Sequence, residues 1–223
     1  MSISAHPVYL AASRLQGLYA ITADDVMGVE PLAYAVAQAI EGGATLVQYR
    51  DKNSDAVKRE TESRALLEIC HSHHVPLIIN DDVALAHTVG ADGVHLGRDD
   101  ASVADARRTL GRNAIIGVSC YNLLARARMA EAAGADYVAF GRFFASRTKP
   151  HAVMADVELL RSARAELRIP IIAIGGITHA NGARLIEAGA DMLAVVEGVF
   201  GADDIRTAAQ HYKNLFEQQE KAS

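Results

Sequence analysis

Short apolar runs recur along the chain, each ending in polar residues and each separated from the next by a longer segment whose apolar residues fall three and four apart. The runs are Gly17–Thr22, Thr45–Arg50, Leu77–Asn80, Gly93–Leu96, Ala114–Ser119, Tyr137–Gly141, Ile171–Gly175 and Met192–Val196. Each is nearly continuous in apolar residues, as a strand covered on both faces must be. The segments between them, among them Pro31–Glu41, Ser54–His71, Leu123–Ala133 and Ala180–Ala188, carry helix formers at helical spacing. Eight strands alternating with helices predict an α/β fold, a closed (β/α)8 TIM barrel rather than an open sheet. The four segments Glu41-Gly42-Gly43-Ala44, Val89-Gly90-Ala91-Asp92, Ala133-Gly134-Ala135-Asp136 and Ala188-Gly189-Ala190-Asp191 each precede a strand. Their glycines are expected to end helices in the left-handed conformation on the strand N-terminal side, where the signature concerns fold rather than chemistry.

Composition narrows the class. A chain of 223 residues, half hydrophobic but only 5% aromatic and without Trp, suits one layered aliphatic core. The expected organisation is a single domain over 1–223, with the barrel at about 17–200, an N-terminal extension at 1–16 and a C-terminal helix and tail at 203–223. The tail turns polar after Phe216, which predicts a last helix that frays. The net charge of −5, without a Lys/Arg-rich run, argues against a nucleic-acid partner. No apolar run reaches the ~20 residues of a membrane-spanning helix, and no signal-like segment opens the chain. Cys70 and Cys120 have neither zinc-type nor disulfide-scaffold spacing. A reduced, cytoplasmic protein is expected, with self-association left open.

In such a barrel the reactive groups come from strand C-terminal ends and the loops after them. Gln48, Arg50 and Lys52 alternate at the end of the second strand and share one direction, an amide and two cations suited to an anionic substrate. Asn80-Asp81-Asp82 ends the third strand, and Asp99-Asp100 follows the fourth. Carboxylates from neighbouring loops suit Mg2+, although Asp is also a common helix cap, and position does not choose among Asp81, Asp82, Asp99 and Asp100. Ser119 ends the fifth strand, and the loop after the sixth carries Arg142, Ser146, Arg147, Thr148 and Lys149, a set of hydroxyls and cations favourable to phosphate. Gly175-Gly176 after the seventh strand lets backbone N–H groups approach an oxyanion, at the point where barrels recurrently bind phosphate. His71, His73 and His74 lie at a helix C-terminal end without a companion carboxylate at ligand spacing, so the helix dipole explains them better than a metal does. His95 lies within a strand, as a barrel-lining hydrogen-bonding residue or a substrate contact.

In this order the strand-end motifs resemble those of the thiamine-phosphate synthase family. The resemblance spans roughly Gly17 to Phe200. It is carried by Tyr19-Ala20-Ile21-Thr22, Gln48-Tyr49-Arg50-Asp51-Lys52, Ile79-Asn80-Asp81, Asp92-Gly93-Val94-His95-Leu96-Gly97 with Asp100, Gly117-Val118-Ser119, Gly141 with Ser146-Arg147-Thr148-Lys149, and Ile174-Gly175-Gly176-Ile177. It implies a transferase that couples hydroxymethylpyrimidine diphosphate with hydroxyethylthiazole phosphate, by a dissociative mechanism requiring Mg2+. It also implies Asp81 and Asp100 as metal ligands, Gln48 at the pyrimidine, and Arg50, Lys52, Asn80, Ser119 and Lys149 at the diphosphate. Ser146, Thr148 and Gly176, with the backbone N–H groups of Val196 and Glu197, are implied at the thiazole phosphate. Arg50, Lys52, Ser119 and Lys149 carry the catalytic assignment. The chain departs from the common family pattern at Arg98, Arg142, Ser146 and Cys120-Tyr121. Two alternatives share the barrel: a TenI-like thiazole tautomerase and a non-catalytic regulatory barrel that binds the precursors. Retention of Lys52, Asp81, Asp100 and Lys149 argues against both.

Overall fold

The computed structural model describes residues 15–23, 28–52, 55–145 and 153–222. Eight parallel strands, β1 (Gly17–Ile21), β2 (Ala44–Tyr49), β3 (Leu77–Asn80), β4 (Gly93–Leu96), β5 (Ile115–Tyr121), β6 (Tyr137–Gly141), β7 (Ile171–Ile174) and β8 (Met192–Val195), pair in chain order. β8 closes on β1, so the sheet is a complete barrel and the predicted (β/α)8 architecture is present. Every strand lies where the apolar runs predict it. The largest difference is β5, which continues to Tyr121 across a register shift after Ser119 that puts Tyr121 at φ +56°.

The helices are α1 (Val29–Glu41), α2 (Ala56–Ser72), α3 (Val83–Val89), α4 (Val103–Leu110), α5 (Leu124–Ala132), α6 (Val157–Glu166), α7 (Ala183–Glu187), α8 (Glu197–Phe200) and α9 (Ile205–Ala222). α1 illustrates how they dock. Leu32, Ala35, Val36, Ala39 and Ile40 are buried along one stripe, each of its larger aliphatic side chains contributing about 1.5–3 kcal/mol of burial. α9 runs on past Phe216 to Ala222, because the polar residues there are good helix formers and Lys213 meets Glu217 one turn later at 3.3 Å. Among the described residues no helix is long and apolar enough to cross a membrane. Cys70 and Cys120 are buried free thiols.

Inside the barrel Leu46, Ile78, Ile115, Ile172 and Met192 form an apolar layer, and the residues two positions further along several strands are polar or small. That change of character along the barrel axis fixes where a polar site can open. The opposite, strand N-terminal face is held by the repeated glycine signature. Gly43, Gly90, Gly134 and Gly189 all have positive φ, between 76° and 109°. The Asp that follows in three of the repeats accepts a backbone N–H from the preceding strand: Asp92 from Leu77 at 2.8 Å, Asp136 from Ile116 at 2.7 Å and Asp191 from Ile171 at 2.7 Å. Each also pairs with a cationic or imidazole side chain from the helix before that strand, respectively His71, Arg107 and Arg164. His71 is thus engaged in this face, while His73 and His74 are exposed. In the first repeat Thr45 stands at the Asp position and donates to the carbonyl of Gln16 at 2.6 Å.

Candidate active site

At the strand C-terminal face lies a cavity of about 460 Å³, and Gln48, Arg50, Asn80, Ser119, Gly176, Val196 and Glu197 all line it. These come from the ends of β2, β3, β5, β7 and β8, so residues distributed over most of the chain converge as the strand-end reading requires. Gln48 and Arg50 are buried despite their polarity, at 2% and 8% exposure. Thr22 and Arg50 bond reciprocally, the Thr22 hydroxyl accepting from Arg50 N at 2.8 Å and donating to its carbonyl at 3.1 Å. This seats the second strand end against the first. Behind it the Tyr49 hydroxyl donates to buried Glu62 at 2.7 Å, and Lys58 bridges Glu62 and Asp51. Ser146, Thr148 and Lys149 lie outside the described residues.

The structure separates the four aspartates that position alone leaves equivalent. Asp82 caps α3 by accepting from Leu85 N at 2.9 Å and pairs with Arg59, and Ser102 caps α4. Asp99 is an exposed loop residue outside either cap. Asp81 and Asp100 meet each other. Asp81 sits at φ +63°, a left-handed conformation that Asp tolerates better than most residues, and its N–H is held by the His95 carbonyl at 2.8 Å. Asp100 accepts the Gly97 N–H at 2.6 Å. Partial loss of water, followed by the hydrogen bond and charge of Asp100, pushes the Asp81 carboxyl up from 3.8 to about 6, against the opposing influence of Asn80 and Lys52. A carboxylate whose proton affinity is raised by a second carboxylate beside it marks a site short of positive charge. Among the described residues no third His, Cys, Asp or Glu joins them as a metal cage. A pair of carboxylate oxygens leaving positions for water and phosphate is the donor set that Mg2+ takes, so the residues fit that ion.

The opposite wall is backbone. Gly175 and Gly176 have φ +101° and +65°, and a Cβ on Gly176 would stand 2.2 Å from the Ala145 carbonyl oxygen. Only glycine fits there. α8 begins beside it with Val196 as N-cap, and the start of a helix is a disposition that favours anions. Gly198 leaves room for the Tyr212 hydroxyl, which comes across from α9 to donate to the Ile177 carbonyl at 3.2 Å.

Two features escape the strand-end reading. Tyr19 and Tyr137 are fully buried inside the barrel and join Gln48 to His95, which in turn reaches Ser119. The available signal was a tyrosine inside an apolar strand, whose hydroxyl must find a partner, together with Gly117 in register opposite Tyr137. A Cβ on Gly117 would stand 1.9 Å from that ring. The second is that two departures from the family pattern meet: the Arg98 guanidinium lies over the Tyr121 ring at 4.8 Å, and Tyr121 lines the cavity. Arg142 lines it too, beside Gly175.

Comparison with known proteins identifies relatives over nearly the whole barrel. The family model described as thiamine monophosphate synthase matches residues 18–199. A thiamine-phosphate synthase of Nitrosococcus oceani is 54% identical over 205 residues, covering 92% of this chain and 94% of the relative. One from Azoarcus sp. is 54% identical over 203 residues, 91% of this chain and 98% of the relative. Among solved structures, thiamine phosphate pyrophosphorylase from Pyrococcus furiosus superposes with a TM-score of 0.81 at 33% identity, covering 93% of this chain and 98% of that one.

Proposed function

The chain belongs to the thiamine monophosphate synthase family, and from that membership we propose how its site joins the two halves of thiamin. The protein is a transferase that couples a pyrimidine precursor with a thiazole precursor to give thiamine phosphate. In our reading the pyrimidine carries the diphosphate and the thiazole a single phosphate. The carbon–oxygen bond to diphosphate breaks, and the thiazole nitrogen captures the carbon.

As that bond lengthens, negative charge accumulates on the departing diphosphate. Arg50, Lys52 and Lys149 supply cations, Asn80 an amide and Ser119 a hydroxyl, all of which bind the leaving group more strongly as its charge grows. Asp81 and Asp100 hold Mg2+, which when bound adds positive charge for the same diphosphate. Gln48 orients the pyrimidine from the cavity floor. The thiazole phosphate is held by Ser146, Thr148, Gly176 and the N–H groups of Val196 and Glu197, which keeps the two anions on opposite walls. No protein nucleophile is required, since the chemistry is dissociative. The enzyme works as a single barrel domain in the cytoplasm on small-molecule substrates.

The observation carrying this reading is one cavity with two kinds of anion chemistry: Arg50, Asn80 and Ser119 line one side, where Asn80 bonds to Asp81 of the carboxylate pair, and a glycine cup with a helix start forms the other. Reconstitution tests it. Purified protein with both phosphorylated substrates is expected to form thiamine phosphate with Mg2+ and to stop when the ion is chelated. Product formation that is indifferent to chelation would remove the metal from the mechanism, and no product at all would remove the coupling reaction.

A further inference from the structure

An uninterrupted line of hydrogen bonds crosses the barrel interior. Gln48 Nε2 donates to the Tyr19 hydroxyl at 2.5 Å, and the Tyr19 and Tyr137 hydroxyls are 2.9 Å apart. The Tyr137 hydroxyl is 2.9 Å from His95 Nδ1, and His95 Nε2 is 2.8 Å from Ser119 Oγ. Both ends, Gln48 and Ser119, line the cavity, as do Tyr19 and His95 between them, while Tyr137 is not among the lining residues. Burial, as the largest cause, raises the proton affinity of both tyrosines above the ordinary value, so each stays neutral and carries one proton to pass along.

A line of this kind has two self-consistent polarities with the same heavy-atom positions, and they differ at both ends together. In the first, Gln48 donates to Tyr19, Tyr19 to Tyr137, Tyr137 to His95 Nδ1, and His95 Nε2–H to Ser119. The Ser119 proton is then available to the cavity, and Gln48 keeps its carbonyl oxygen as an acceptor. In the second, every arrow reverses. Ser119 donates inward to His95, and the Gln48 amide turns over so that its oxygen accepts from Tyr19 and its N–H groups serve the cavity. A diphosphate oxygen only accepts, so an anion at Ser119 selects the first polarity.

We propose that this line transmits occupancy of the diphosphate site to Gln48, so that the loaded enzyme offers a hydrogen-bond acceptor to the ring and selects pyrimidines with an exocyclic amine over those with a carbonyl there. Tyr19, Tyr137 and His95 are positioning residues. The proposal rests on the reading that Ser119 meets the diphosphate and Gln48 the pyrimidine.

Tyr137→Phe is the informative variant because it keeps the ring that stacks on His95, with centroids 5.6 Å apart, and meets Tyr19 edge-on at 6.0 Å. It removes only the shared hydroxyl. Tyr19 then donates to the one acceptor left to it among its described partners, the Gln48 carbonyl, and the amide turns over. The variant is expected to lose about tenfold in kcat/KM for the aminopyrimidine diphosphate, the weight of one hydrogen bond, and to relax its preference over the oxo analogue. The KM for thiazole phosphate should stay unchanged, and Tyr19→Phe should repeat the loss. A direct readout needs only wild-type protein. With Mg2+ and inorganic diphosphate, 15N spectra of the histidine ring should show His95 protonated at Nε2 and bare at Nδ1. An Nδ1–H tautomer, an imidazolium, or a Tyr137→Phe enzyme with undiminished discrimination would overturn the relay in an enzyme that still makes thiamine phosphate. A wild-type protein that makes none would instead overturn the substrate reading beneath it.

Discussion

Three aspartates near the proposed Mg2+ site illustrate how little residue type decides alone. Asp82 is a helix cap, whereas Asp81 meets Asp100 in a side-chain hydrogen bond. Asp81→Ala or Asp100→Ala should weaken Mg2+ binding and lower turnover on the order of 100-fold, while Asp82→Ala should cost about 1 kcal/mol of stability through its lost cap. His73→Ala should alter neither; metal titration together with turnover separates the cases. The pair also predicts a pH effect whose sign follows from the upward shift. The metal-free fold favours the protonated form of Asp81, a contribution complete below the ordinary value of 3.8 and lost as pH rises through about 6. In the proposed site Mg2+ would take the place of the proton. Its addition should therefore raise Tm more at about pH 7.5 than at about pH 5, and equal increments would show that the carboxylates are not its ligands. The individual strand-end residues were legible because polar groups that end apolar strands stand out. The pairing of Asp81 with Asp100 was not, since it depends on two loops whose relative position no local pattern encodes.

At the scale of elements, the two ends of the βα units have different jobs, written in different residues. Side-chain caps open α2, α3, α4 and α6 on the face that bears the cavity. On the other face, glycines end helices and the aspartates clamp strands. The glycines could be read from sequence because a left-handed residue after a helix is a local demand. The clamps could not, because Asp136 reaches Arg107 and Ile116 across 29 and 20 residues. Asp136→Ala should lower stability by about 1–3 kcal/mol by leaving a strand N–H without its acceptor. Turnover at ambient temperature should be unaffected, since the clamp lies at the far end of the barrel. Denaturant titration beside a kinetic assay checks both, and a large kinetic defect without destabilisation would contradict the division of faces.

For the whole molecule, α9 returns after the barrel has closed and ties its end to the glycine-lined wall of the cavity through Tyr212, whose hydroxyl burial pushes up to about 12. Tyr212→Phe should raise the KM for thiazole phosphate a few-fold, consistent with losing one neutral hydrogen bond of about 1 kcal/mol, while leaving kcat near its original value. Steady-state kinetics in both substrates would detect the opposite pattern. The number of strands, their order, the face on which the cavity opens and the amide and cations around the end of β2 were determined by the sequence itself. Periodicity and the polarity of strand ends are properties of neighbouring residues, and they survive without knowledge of the fold. The meeting of Asp81 with Asp100, the stacking of Arg98 on Tyr121 and the line from Gln48 to Ser119 were decided only by the tertiary structure. Tyr19 and Tyr137, 118 residues apart, bond because closure of the sheet puts both inside one barrel, and distance in the chain carries no record of that closure.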